Sequence, residues 1–167
     1  MKYSSKNSGI SLMETVIYAA LVSVLSILVV QAILSLTDAF RAIRITRELS
    51  SSGLGALDRL GREIRLADSV NDGSIWNATS SKLVLDYAGS ITKEFSLADG
   101  ALHLFENSED SGPLTSANVE VTNFYVEQAT TTSKTAIRIS LTLIDKRSLI
   151  NQKTVTFYTA ASMRGLY

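Results

Sequence analysis

From Thr15 to Thr37 the chain carries no charged side chain, and most positions are apolar. That run exceeds the ~20 residues an α-helix needs to cross a bilayer. Phe40 and Ile43 continue its spacing, and Leu54, Leu57, Leu60, Ile64 and Ala67 then recur at intervals of three and four, one face of an amphipathic helix. Asp58, Arg59, Arg62, Glu63 and Arg65 fall on the opposite side, with Asp58 and Arg62 spaced as a favourable i,i+4 pair. The weak helix formers Ser50–Gly53 and Gly55 interrupt the pattern, each Gly costing ~1 kcal/mol against Ala, so a bend or a locally soluble joint is expected there. A continuous helix from Ser11 to about Asp68 would measure ~85 Å.

Beyond Asn71 the period becomes twofold. Leu83, Leu85 and Tyr87 alternate with Lys82, Val84 and Asp86, and Ile91, Phe95 and Leu97 form a second strand. Asp99-Gly100 predicts a two-residue hairpin, since both residues tolerate the positive φ of a type I′ turn. Leu102 and Leu104 follow it. Glu106 to Asn118, polar and holding the only proline, reads as a long surface loop. Val119 and Val121 then share one parity and Phe124 and Val126 the other, a slip that a bulge near Thr122-Asn123 would absorb. Ile137, Ile139, Leu141 and Leu143 alternate cleanly, Val155 and Phe157 mark the last strand, and Gln128–Thr135 reads as a loop. The expected fold class is α+β: a long N-terminal, partly transmembrane helix followed by a mainly antiparallel β-sheet, a lollipop whose sheet is covered by the Leu54–Ala67 stripe.

At 167 residues the chain suits one modest domain plus an anchor. Formal net charge is zero, so no general electrostatic case exists for nucleic acid, and none is expected as a specific partner. With no cysteine, a disulfide framework, a thiolate metal site and a cysteine nucleophile are excluded. The apolar run is too long for the core of a secretory signal peptide and is closed by no small-x-small cleavage site, so a retained helix is expected.

Little in the rest of the sequence carries chemistry. His103, the one histidine, lies between Leu102 and Leu104 and reads as a strand residue rather than a metal ligand. Glu106, Glu109 and Asp110 could chelate calcium but lack EF-hand spacing, so a solvated acidic loop is expected. No nucleophile elbow accompanies the serines and no glycine motif cradles a phosphate. Arg59, Arg62 and Arg65 read as a solvated helix face, and Asn77-Ala78-Thr79 as a chance glycosylation match. No enzyme activity, metal or cofactor is expected.

The most specific motif precedes the apolar run: Ser8-Gly9-Ile10-Ser11-Leu12-Met13-Glu14. A carboxylate at the mouth of a membrane-length helix is costly, about 2.5–3.5 kcal/mol at the bilayer centre and less near an interface, so it calls for a partner. The pattern resembles the type IV prepilin signal: a short basic leader with Lys2 and Lys6, Gly9 at the cut, an apolar first mature residue at Ile10, and Glu14 fifth after the cut. The family usually has Phe where Ile10 stands. The resemblance implies cleavage after Gly9 by a prepilin peptidase that also methylates the amine of Ile10. It further implies that Glu14 pairs with that amine in a neighbouring subunit, while Leu12, Val16, Leu21 and Val24 supply the helix-packing surface of a filament. It divides the chain into a leader (1–9), a transmembrane and filament-core helix (10–37), its amphipathic continuation (38–69) and a β-sheet domain (70–167).

Leu57–Asp68 is similar to the late helix of J-class minor pseudopilins of type II secretion and of W-type minor pilins, and Phe95–Leu102 to their aromatic-x-Leu…Gly-x-Leu hairpin. The terminal Arg164-Gly165-Leu166-Tyr167 departs from the Arg-Asn ending of many such proteins. The implied function is a minor pilin or pseudopilin, a non-catalytic subunit of a type IV pilus or secretion pseudopilus in an assembly-initiating tip complex. The implied partners are other pilin or pseudopilin subunits, the peptidase/methyltransferase, an inner-membrane assembly platform and membrane lipid. The implied location is a single pass of the inner membrane with the globular domain outside the cytoplasm. Arg41, Arg44 and Arg47 oppose that orientation, because the positive-inside rule would keep a basic flank in the cytoplasm. They favour the alternative, an uncleaved single-pass anchor whose β-domain binds a ligand or envelope component. A DNA-binding competence pilin rests on the arginine ladder alone.

Overall fold

The computed structural model describes residues 12–131, 134–147 and 152–163. Its first element, α1, is one helix from Leu12 to Leu66. Eight strands follow: β1 (Ser69–Val70), β2 (Leu83–Tyr87), β3 (Ile91–Ala98), β4 (Ala101–Glu106), β5 (Glu109–Pro113), β6 (Val119–Thr131), β7 (Lys134–Asp145) and β8 (Thr154–Ser162). All sheet pairings are antiparallel, in a five-stranded sheet ordered β1-β2-β3-β4-β5 and a three-stranded sheet ordered β6-β7-β8. The α+β class expected from the sequence is the class observed.

The chain divides into two compact units between Ile43 and Arg44. In the first, every described residue is exposed and helical. This is the one described helix whose length and composition suffice to cross a membrane, with a mean hydropathy of 2.5 over its most apolar stretch. Three of its hydroxyls are satisfied within the helix: Ser23 donates to Ala19 O, Ser26 to Val22 O and Thr37 to Ile33 O, at 2.8 to 2.9 Å. Such back-bonding removes the penalty that a free hydroxyl would carry in an apolar medium.

In the second unit, the remainder of α1 and both sheets close over one core. Leu49, Leu60 and Ile64 from the helix meet Leu85 and Phe95 of the first sheet and Phe124, Ile139 and Leu141 of the second, all at most 1% exposed. Burying each such side chain is worth about 1.5–3 kcal/mol. The buried face of the helix differs from the expected stripe. Leu54 is exposed, and Ala56 with Gly53 takes the inward place. α1 runs through residues 50–55 without a break in the helix.

The Asp99-Gly100 hairpin forms as expected, both residues having positive φ (50° and 72°) between β3 and β4. The bulge between Val121 and Asn123 is present, and it lets Val119 and Val121 face the core with Phe124 and Val126. Two loop expectations are overturned. Within 106–118, Asn107 and Ser108 (φ 51° and 70°) make a second tight turn, and β5 pairs back onto β4 with a register shift at Leu104/Phe105. Edge strands tolerate such polar, proline-ended sequence because only one side pairs. Within 128–135, β6 continues to Thr131 and β7 begins at Lys134. Threonine is β-branched, and its strand preference prevails over its presence in turns.

Candidate functional site

Of the residues that the sequence marks for processing and assembly, Gly9 and Ile10 lie outside the described residues. Leu12, Glu14, Val16, Leu21 and Val24 all sit in α1 with exposed side chains. Leu12 and Val16 stand one turn apart on one face. At ~100° per residue, Leu21 and Val24 lie about 120–180° round the helix from Leu12. The four do not make a single stripe. The helix is apolar all round, as an element surrounded by lipid or by several like helices requires.

Glu14 has a neighbour that sequence reading missed. One turn on, Tyr18 donates its hydroxyl to Glu14 Oε1 at 3.3 Å. The i,i+4 spacing of an acid and a phenol was the available signal. Gln31 is exposed and has no side-chain partner among the described residues.

The charged side chains expected to be solvated are in several cases structural. Glu63, assigned to the polar face of the helix, is only 3% exposed. The sequence disguises this: Glu63 lies three residues after Leu60 and four before Ala67, so it falls on the buried seam. Its carboxylate takes a hydrogen bond from Tyr87 Oη at 2.7 Å and ion pairs from Arg59 at 3.0 Å and Lys93 Nζ at 3.1 Å. Lys93 in turn reaches Glu106 at 3.1 Å and lies 5.2 Å from the centre of the Tyr87 ring. Burial opposes the charge on Glu63, but the Tyr87 hydroxyl, Lys93 and Arg59 outweigh it and hold its pKa below the ordinary carboxylate value. Burial beside the same carboxylate pushes the Tyr87 phenol up.

A second cluster ties α1 to the end of β7. Glu48 accepts from Asn118 at 2.8 Å and Ser116 at 3.1 Å, and pairs with Arg147 at 2.6 Å. Arg147 also meets Asp145 at 2.9 Å. The Asn118 amide, aided by Ser116 and Arg147, lowers the pKa of Glu48 despite some desolvation.

Within the arginine ladder, Arg59 is committed to Glu63, and Arg62 meets Asp58 at 3.4 Å, the pairing expected from spacing. His103 does lie in a strand, β4, where Nδ1 meets the Asp110 carboxylate at 3.0 and 3.1 Å. Glu106 and Asp110, two of the acidic residues weighed for calcium, thus face Lys93 and His103. Among the described residues no group of three or more His, Cys, Asp or Glu is arranged to hold a metal. No protein-family model, curated protein or solved structure matches the chain. The arrangement shown is an apolar membrane-length helix with one carboxylate near its start, continuous in sequence with a sheet domain braced by buried ion pairs.

Proposed function

We propose that this chain is a minor pilin or pseudopilin, a structural subunit of a type IV pilus or type II secretion pseudopilus, most like the J-class and W-type minor subunits. The observation that carries the reading is the placing of Gly9 and Ile10 five and four residues before Glu14, at the head of the charge-free run. In this reading a prepilin peptidase cuts after Gly9 and methylates Ile10. Glu14 then pairs with the amine of an adjacent subunit, and Leu12, Val16, Leu21 and Val24 pack against neighbouring helices. An ion pair answers the need for a partner that a carboxylate in a low-dielectric bundle creates. The α+β order and the all-round apolar helix support the reading, and the role requires no catalysis. The sheet domain would stand outside the cytoplasm.

The deciding experiment is intact-mass and N-terminal peptide spectrometry on protein from its native membrane. A chain starting at a methylated Ile10 is the expected result. An intact leader in a host that possesses the peptidase would overturn it. The second reading, an uncleaved anchor presenting a binding domain, is favoured by Arg41, Arg44 and Arg47 after the apolar run. Under it, protease added to spheroplasts would leave a cytoplasmic sheet domain intact.

A further inference from the structure

The outer face of the β6-β7-β8 sheet carries a hollow of about 510 Å³, within the ~300–1,000 Å³ range of small-molecule sites. Two cross-strand rows build it. Tyr125, Ser140 and Tyr158 are in register across the three strands, and Glu127, Arg138 and Ala160 form the next row. Small side chains at Ser140 and Ala160 leave space beside larger ones, which is why a sheet face acquires a depression. Neighbouring strands lie ~4.8 Å apart, so the roots of the two tyrosines stand about 10 Å from each other. A flat ring in van der Waals contact on both sides needs ~7–8 Å.

One wall is fixed. Tyr125 donates its hydroxyl to Asn77 Oδ1 at 3.1 Å, and Asn77, held at φ 57°, is itself anchored by its N–H on Val126 O at 2.9 Å. The other wall, Tyr158, is 78% exposed and has no partner among the described residues. Glu127 and Arg138 are direct cross-strand neighbours, yet neither is in an ion pair with any described residue.

The chemistry of these groups narrows the ligand. The backbone of the central strand is consumed by its two ladders, so recognition over that strand must come from side chains. Glu127 only accepts and Arg138, charged throughout, only donates. An ion of either sign would meet one repelling charge, and a wholly apolar ligand would desolvate both without return. A neutral molecule offering adjacent donors and acceptors satisfies them, and one with a flat C–H face also covers the tyrosines. The geometry points to a saccharide site: a pyranose ring between Tyr125 and Tyr158, its hydroxyls bonded to Glu127, Arg138 and Ser140. This is independent of how the apolar helix is processed or assembled.

Saturation-transfer NMR on the full chain in nanodiscs, which avoids sugar-based detergents, tests the site. The probes are maltotriose, cellotriose and chitotriose, with phosphocholine as the zwitterionic competitor. Ring-proton saturation of at least one trisaccharide at about 10 mM is expected, in the weak range natural to single-ring contacts. Tyr158→Ala, at an exposed position, should weaken it about tenfold while Tyr158→Phe keeps the stacking face and restores it. Arg138→Gln should weaken it as well. Silence from all three sugars, equal transfer to the Tyr158→Ala protein, or transfer to phosphocholine alone would overturn the proposal.

Discussion

Phe157 of β8 lies directly against the backbone of Gly53 in α1: a Cβ built at Gly53 would come within 2.5 Å of the ring. The helix and the second sheet therefore approach more closely here than any side chain allows. Gly53→Ala should destabilise the sheet domain, because ~1–3 kcal/mol of overpacking exceeds the ~1 kcal/mol that alanine gains in helix propensity. Gly55, two residues on, has nothing within 4 Å of its own built Cβ. Gly55→Ala should instead stabilise by about 0.5–1 kcal/mol. Thermal unfolding of both variants followed by near-UV circular dichroism separates them; equal shifts would rule out the Phe157 contact.

The Glu63 cluster makes stability depend on pH in a defined direction. The folded pKa of Glu63 is depressed below its ordinary 4.5, so its contribution is complete above that value and is lost as pH falls through the folded pKa. The pKa of Lys93 is raised above 10.5 as Glu63 and Glu106 overcome its desolvation, so its contribution is complete below that value and fades as pH rises through the folded one. Between the two lies a plateau. Glu63→Ala should cost about 3–5 kcal/mol on it, towards the lower end since Lys93 keeps Glu106. Glu63→Ala should also flatten the acid limb in urea melts taken across pH; an unchanged acid limb would contradict the assignment.

Periodicity carried the fold class and most strands because burial enforces it directly. The clean alternation from Ile137 to Leu143 and the Asp99-Gly100 turn each have a single physical solution. The Glu63 error has a different origin. Helical position alone put Glu63 on the seam, but its charge argued for solvent, and the partners that reverse that argument come from Tyr87 and Lys93, distant in sequence. The turn at Asn107-Ser108 went unread because Ser at positive φ is a weak signal, and β5 is polar because it is an edge. The sheet hollow was illegible for a related reason: Tyr125, Arg138 and Tyr158 meet only through strand register. Conversely, the Gly9–Glu14 motif is legible only in sequence, since its first half lies outside the described residues.

Two carboxylate partners compete in the account of Glu14, the phenol of Tyr18 and the amine proposed at Ile10. Tyr18 is 3.3 Å away and belongs to the same helix. If the amine of a neighbouring subunit is the functional partner, Glu14→Ala should insert into membranes normally yet fail to co-purify with filaments, whereas Tyr18→Phe should incorporate at the native level. Quantitative immunoblotting of sheared filaments against membrane fractions reads both. Normal incorporation of Glu14→Ala would remove the role given to the carboxylate. Loss on Tyr18→Phe would transfer that role to the intrahelical pair.

Arg147 bridges two acids of unequal burial, Glu48 at 2.6 Å and the fully buried Asp145 at 2.9 Å. The second oxygen of Asp145 has no hydrogen-bond partner among the described residues. Arg147→Ala would strand that carboxylate in the interior, and removing one member of such a pair costs about 3–5 kcal/mol. Lysine should restore little, since a point charge cannot hold two carboxylates with the separate nitrogens of a guanidinium. Adding Asp145→Asn to Arg147→Ala should recover part of the loss by removing the unpaired charge. The control is Arg62→Ala, whose partner Asp58 is as exposed as Arg62 itself and which should cost under ~0.5 kcal/mol. Denaturant unfolding of the four variants orders them; a loss at Arg147 no larger than at Arg62 would show that Asp145 does not depend on Arg147 in the folded protein.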